Sequence, residues 1–216
     1  MKLPTAIVVA ALAALWFAPT TVAQAPQATP FSADMQIKYE LGESPQQWHG
    51  KLFVDRGHMR FDLQNPPNEG PIILTNFATQ TDDVLLPPMK TYIEHPINDP
   101  HSRGPALVMS DLRAYDPGNP CASQANTSCK RIGIETVAGR SCDHWELNHR
   151  DRILNLWLDR KLHFPLKTVT QDATITLTNV KEGAPAASLF QVPADYKKTN
   201  MNPQAGATLS QPQPQK

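Results

Sequence analysis

Trp48-His49-Gly50-Lys51-Leu52-Phe53-Val54-Asp55-Arg56-Gly57-His58-Met59-Arg60-Phe61-Asp62-Leu63 holds two runs of period two around a short turn. Trp48, Gly50, Leu52 and Val54 alternate with His49 and Lys51, and Met59, Phe61 and Leu63 alternate with His58, Arg60 and Asp62. Successive side chains of a strand point to opposite faces, so each run reads as a strand with one apolar face. Asp55-Arg56-Gly57 closes them into a hairpin. The same period extends outward. Met35, Ile37 and Tyr39 alternate with Asp34, Gln36 and Lys38 before the hairpin, and extended runs at 72–77, 82–86 and 90–95 follow it. Strand character resumes at Cys129, with Ile132 and Ile134 assigned to one face, turns at Ala138-Gly139 and returns over 142–149. Runs at 152–159, 165–171 and 173–179 complete the series, and in the last of them Ile175 and Leu177 oppose Thr174, Thr176 and Thr178. About ten to eleven strands joined mostly by short turns predict a mainly β, antiparallel, largely up-and-down sheet with one packed and one wet face.

One segment departs from this period. Pro105 suits the first position of a helix, and Val108, Leu112 and Tyr115 recur at i, i+4 and i+7 before Asp116-Pro117-Gly118 ends the run. A single helix is therefore expected there. Eleven strands at ~4.8 Å spacing span about 50 Å, whereas a helix of about eleven residues is only ~16 Å long. So small a helix leaves most of an apolar face uncovered. The expected architecture is a strongly curved antiparallel half-barrel, with the helix lying against its concave face above a hydrophobic cavity.

The ends have a different composition. Met1-Lys2, an apolar run over 6–18, Pro19 and the small residues Thr21-Val22-Ala23 have the layout of a secretory signal peptide cleaved near Ala23. The expected organisation is a signal peptide at 1–23, a flexible lead-in at 24–32, one β-domain at 33–198 and a disordered Gln- and Pro-rich tail at 199–216. No later stretch reaches the ~18–20 consecutive apolar residues of a spanning helix, so no transmembrane anchor is expected in the mature chain. Lys plus Arg and Asp plus Glu are both 20, and the absence of a basic block argues against nucleic acid as a partner.

Export bears on the three cysteines. Cys121 and Cys129 bracket a polar loop, and in an oxidising compartment they are expected to form a disulfide worth roughly 2–3 kcal/mol. Across the Ala138-Gly139 turn Cys142 would face Glu135, which leaves it a free buried thiol. The competing reading is a zinc site using Cys142 and His144, but no ligand spacing of the known kinds accompanies them. The seven histidines are scattered, mostly at polar strand positions. His-Glu-x-x-His, Gly-x-Ser-x-Gly, phosphate-loop and Gly-x-Gly-x-x-Gly patterns do not occur, so no enzyme activity, cofactor or metal is expected. Asp82-Asp83 reads as a solvated strand start.

The C-terminal third carries a family likeness. Ile153-Leu154-Asn155-Leu156-Trp157-Leu158-Asp159 is followed by Phe164-Pro165-Leu166-Lys167, by Leu177-Thr178-Asn179-Val180-Lys181-Glu182-Gly183, and by Leu189-Phe190-Gln191-Val192-Pro193-Ala194-Asp195-Tyr196-Lys197-Lys198. A Trp-x-Asp strand, a Pro-Leu strand and a closing Phe-x-Val-Pro-x-x-Tyr resemble the LolA-like superfamily, the periplasmic lipoprotein carriers and their uncharacterised relatives. Pro88-Met89-Lys90-Thr91-Tyr92 and the stretch from Ile134 to Arg140, with Cys142 and Trp145 after it, resemble further strands of those relatives. The resemblance implies a curved antiparallel sheet around an apolar cavity for acyl chains, and a periplasmic location. The carriers' amphipathic helix before the first strand has no counterpart here, and no carrier functional residue maps onto this chain.

Two functions follow as expectations. The first is an exported protein that binds a hydrophobic ligand, a lipid or a lipoprotein acyl chain, along Met35, Tyr39, Leu52, Phe61, Leu107, Val108, Leu112, Trp145 and Trp157. The second is an envelope protein-interaction scaffold whose interior is filled by these same side chains.

Overall fold

Burial along the chain follows the alternation of the sequence. In the computed structural model, which describes residues 27–40, 45–64, 70–97, 112–122, 124, 126–149 and 152–199, Phe31, Ala33, Met35 and Ile37 are buried while the residues between them are partly exposed. The same holds for Gly50, Leu52 and Val54, and for Met59, Phe61 and Leu63. The strands are β1 (Phe31–Tyr39), β2 (Gln46–Asp55), β3 (His58–Leu63), β4 (Ile72–Asn76), β5 (Thr81–Leu86), β6 (Thr91–Pro96), β7 (Thr127–Val137), β8 (Arg140–His149), β9 (Arg152–Asp159), β10 (Phe164–Val169), β11 (Ala173–Glu182) and β12 (Lys197–Lys198). All the expected strand runs are present, and β12 is an addition.

The strands form one open, curved, 12-stranded sheet in the order β12-β6-β5-β4-β3-β2-β1-β11-β10-β9-β8-β7. Two antiparallel meanders, β1 to β6 and β7 to β11, are sewn together by the β1–β11 pairing. Irregularities have local causes. Pro165 has no N–H for the ladder, and the β9–β10 register shifts between Pro165 and Lys167. Asn179 sits at φ 50° where β11 slips against β1, and its side-chain amide donates to Asp34 Oδ2 at 2.6 Å. Ala138 and Gly139, at φ 49° and 77°, make the two-residue turn that joins β7 to β8. β1 starts at Phe31, ahead of the expected domain boundary at 33, and Thr29 is already tied to Lys161 and Leu162 by hydrogen bonds of 2.7 and 2.9 Å.

The C-terminal segment crosses the outer face. Its 3-10 turn, Ala187–Phe190, lies over β3, where Arg60 Nη1 donates to the Leu189 carbonyl at 2.9 Å and the Phe190 ring meets His58. Lys197 and Lys198 then pair in parallel with Thr91 and Tyr92, covering what would be the exposed edge of β6. Lys90 and Glu94 pair with Asp195 and Lys198 at 2.9 and 2.8 Å. The closing stretch from Leu189 to Lys198 thus acts as a strap.

The expected helix is not supported. Residues 105–111 lie outside the described residues, and 112–115 are not helical. Tyr115 N–H donates to the His163 carbonyl at 2.9 Å, which anchors it to the β9–β10 turn instead of to a preceding helical turn. Leu112 and Tyr115 are both buried, but in different clusters, so extended chain satisfies the spacing that suggested a helix. Among the described residues the helical pieces are the short 3-10 turns Pro87–Met89 and Ala187–Phe190, and no helix lies against the concave face.

Candidate functional site

Cross-strand partners share a face of the sheet, so register alone traces the inner wall. One row runs Trp48, Ile37, Ile175, Thr168, Leu156, Trp145, Arg131. A second runs Phe31, Val54, Met59, Thr75, Asp82, His95. The wall between them belongs to a main cluster that includes Met35, Leu52, Phe61 and Leu177, joined by Leu112. A second cluster, Tyr115, Trp145, Leu147, Leu154, Leu156 and Leu158, occupies the β8–β9 wing.

The residues expected to line a cavity divide accordingly. Met35, Leu52, Phe61 and Leu112 are brought together, each at 2 % exposure or less. Tyr39 packs against them and against the Trp48 ring, 5.8 Å away. Trp145 is on the inner wall but in the second cluster. Leu107 and Val108 lie outside the described residues. Trp157 leaves β9 on the pleat opposite to Leu156, yet it is buried and belongs to the main cluster. Its ring stacks on His144 at 4.1 Å and meets Lys167 Nζ at 4.2 Å, and its Nε1 donates to Glu135 Oε2 at 2.7 Å. That donor, followed by the His144 ring at 2.8 Å, holds the Glu135 carboxyl below its usual range.

Two polar groups on the inner wall escaped the sequence reading. The first is Thr75, Asp82 and His95, all at 8 % exposure or less. Thr75 Oγ1 donates to Asp82 Oδ1 at 2.6 Å. Burial pushes the Asp82 carboxyl up, against the pull of this hydrogen bond and of His95. The expectation of a solvated Asp82-Asp83 is therefore corrected: Asp82 shares its pleat with Val84, and Asp83, on the other side, has its Oδ1 buried without a partner among the described residues and its carboxyl pushed up by burial. The second is Asp143, at 2 % exposure, gripped by Arg131 and Arg160. Arg131 Nε donates at 3.0 Å and Arg160 Nη2 at 2.9 Å, both to Oδ1. The Arg160 hydrogen bond, then that of Arg131, holds the carboxyl well below the usual range despite burial. Beside it, Trp145 Nε1 is buried with no hydrogen-bond acceptor among the described residues.

Cys121 and Cys129 form the expected disulfide, with Cα atoms 5.9 Å apart. Cys142 is the free buried thiol, opposite Glu135 in register, and burial, reinforced by Asp159, pushes it up to about 12. An outer-face depression of about 460 Å³ is lined by Asp34, Gln36, His49, Lys51, Gln64 and Thr178 together with Met35 and Gly50. Its polar rim suits an acyl chain poorly. Among the described residues no helix is long and apolar enough to cross a membrane.

An open, curved, mainly antiparallel sheet with an apolar inner wall and a strapped outer face defines the class of fold. No protein-family model matches the chain, and no curated protein matches it. Among solved structures, an uncharacterized conserved protein from Thermus thermophilus is similar at 10 % identity and a TM-score of 0.51, over 81 % of this chain and 91 % of that one. That likeness is one of fold. The LolA superfamily protein NE2245 from Nitrosomonas europaea is similar at 12 % identity and a TM-score of 0.44, over 76 % of this chain and 90 % of that one. The Pseudomonas aeruginosa MucA/MucB complex gives 16 % identity and a TM-score of 0.45, over 76 % of this chain and 56 % of that one.

Proposed function

We propose that this is an exported, non-enzymatic periplasmic protein that holds a hydrophobic ligand, a lipid or a lipoprotein acyl chain, against the inner wall of its sheet. The observation that carries this reading is the nature of the cover. Leu112 and Tyr115 sit buried on the wall in irregular chain, and no helix packs there among the described residues. Lifting such chain breaks the Tyr115–His163 backbone hydrogen bond but no helical hydrogen-bond ladder. A buried Leu contributes about 1.5–3 kcal/mol, and an acyl chain about 0.8 kcal/mol per buried methylene. A ligand of about ten carbons therefore outweighs the displacement of one or two covering side chains. The motifs that resemble LolA-like proteins support the same reading.

Native mass spectrometry of freshly purified protein, with displacement of an apolar dye, tests it. Co-purified lipid and competed dye are expected. Protein that flies without ligand and takes up no dye sinks the proposal.

A second reading, an interaction scaffold with a filled interior, is favoured by the β7 edge. Ile132 and Ile134 there are 46 % and 63 % exposed, and Ile153 on β9 is 48 % exposed. Ile134→Lys separates the two readings: on the scaffold reading it weakens partner capture and leaves dye uptake as it was.

A further inference from the structure

We propose that the β8–β9 wing of the inner wall is a head-group subsite for an anionic amphiphile, with Trp145 Nε1 donating to a carboxylate or phosphate oxygen while the neighbouring leucines take the start of its acyl chain. The inference rests on the hydrophobic-ligand reading and adds the chemistry of the ligand's polar end.

Three observations converge. Trp145 is 9 % exposed and its Nε1–H has no acceptor among the described residues. A buried donor without an acceptor costs roughly 1–3 kcal/mol, so such a group favours a ligand that supplies an oxygen. Its surroundings are apolar: Leu147, Leu154, Leu156 and Leu158 form one cluster with it. The charge beside it is positive. Arg131 is the direct cross-strand partner of Trp145, and Asp143 precedes it by two residues on the same pleat. Arg131 and Arg160 both grip Asp143, so two positive charges meet one negative and leave a net charge of one positive. The Arg160 side chain is 63 % exposed and Arg131 42 %, which leaves guanidinium N–H groups free to turn toward an arriving anion. An unpartnered indole donor, surplus positive charge and a leucine floor together match an anionic oxygen at the end of an acyl chain.

The test uses the purified protein with laurate, lauroyl lysophosphatidylglycerol and dodecanol, each titrated by dye displacement and by calorimetry. The anionic ligands are expected to bind at least about tenfold tighter than dodecanol, as a charge-assisted hydrogen bond provides. The one bound more tightly identifies the source of the anionic oxygen. Trp145→Phe keeps an aromatic ring and removes the donor. It should cut the preference for the anion over dodecanol about tenfold, because the neutral hydroxyl of dodecanol is the weaker acceptor and loses less. Arg160→Gln, at an exposed position, should reduce the preference and its dependence on salt. Equal binding of all three ligands overturns the head-group subsite while leaving the hydrophobic-ligand reading intact. So does a Trp145→Phe protein that matches wild type, as expected if the indole meets only water, or one that loses all three ligands equally. Binding of none of them overturns both.

Discussion

Replacing Gly50 by Ala tests whether the inner wall is as tightly built as register and burial imply. Gly50 lies between Met35 on β1 and Leu63 on β3. A methyl carbon placed on it would sit 2.3 Å from Cε2 and 2.8 Å from Cζ of Phe61, and 2.3 Å from the backbone oxygen of Asp62. Ordinary carbon contacts are ~3.5–4.0 Å, so the Phe61 ring must retreat by about 1 Å and β3 must shift as well. Phe61 has no exposure and hence no free space to enter. Overpacking of this kind costs about 1–3 kcal/mol, and the lower entropy of an unfolded chain with Ala returns at most ~1 kcal/mol. Because both a ring and a backbone atom obstruct the methyl, we expect a net loss of about 2 kcal/mol. Urea unfolding followed by tryptophan fluorescence reads it directly, and the melting temperature should fall by about 4–8 °C. In a Phe61→Leu background the ring clash disappears and the Asp62 one stays, so the two changes should be non-additive by at least ~0.5 kcal/mol. A Gly50→Ala protein as stable as wild type, or more so, would show that the ring does not lie over Gly50 and that the wall is looser than described.

Four further outcomes follow from local geometry. Cys129→Ser opens a ring with a sequence separation of 8 and should cost about 2–3 kcal/mol in the chain-entropy model. In the unaltered protein, thiol labelling should find Cys142 alone, and only after unfolding, because its thiol is buried and pushed up to about 12. For Asp82 the folded carboxyl titrates above its unfolded value, so its favourable contribution is complete below the ordinary carboxylate range and is lost as pH rises through the folded value. Asp82→Asn should therefore gain stability relative to wild type between acid and neutral pH, as melts across that range would read; a difference independent of pH would contradict burial as the cause. Ala138→Asn, at φ 49° in a two-residue turn, should stabilise by a few tenths to about 1 kcal/mol in chemical denaturation.

What the sequence could express was side-chain period, and the strands that depend on it were legible. Met35, Leu52, Phe61 and Leu177 were readable as core because each stands in an alternating run. β12 was not, since Lys197 and Lys198 are both exposed and pair with β6 only through their backbones. Residues 112–115 misled because burial at two points three residues apart fits a helix turn and also a segment bridging two clusters; the Tyr115–His163 hydrogen bond that decides between them joins positions far apart in sequence. Asp82 was legible in principle, sharing parity with Val84, but its residue type outweighed its position. The Arg131–Asp143–Arg160 group was not legible. An extra residue between Arg131 and Gly133 fixes which face Arg131 takes, and Arg160 arrives from beyond the end of β9.

The two faces of the sheet are closed by different kinds of contact, and this bears on which side a ligand would enter. On the outer face the strap is held by directional bonds: Arg60 to the Leu189 carbonyl, Lys90 to Asp195, Lys198 to Glu94 and the β12–β6 ladder. Only a partner with the same geometry could replace these, and an acyl chain offers none. On the inner face Leu112 contributes apolar burial, which is non-directional and roughly proportional to area, and Tyr115 adds to it while held by its backbone hydrogen bond to His163. A methylene chain can replace the apolar contact of Leu112 at little net cost. The strap therefore keeps the sheet's shape constant while the inner cover exchanges. The Thr75–Asp82–His95 and Arg131–Asp143–Arg160 groups stand at opposite wings of that cover as polar stations beside an otherwise greasy path. A ligand seated there would have its orientation set by which station its polar end prefers.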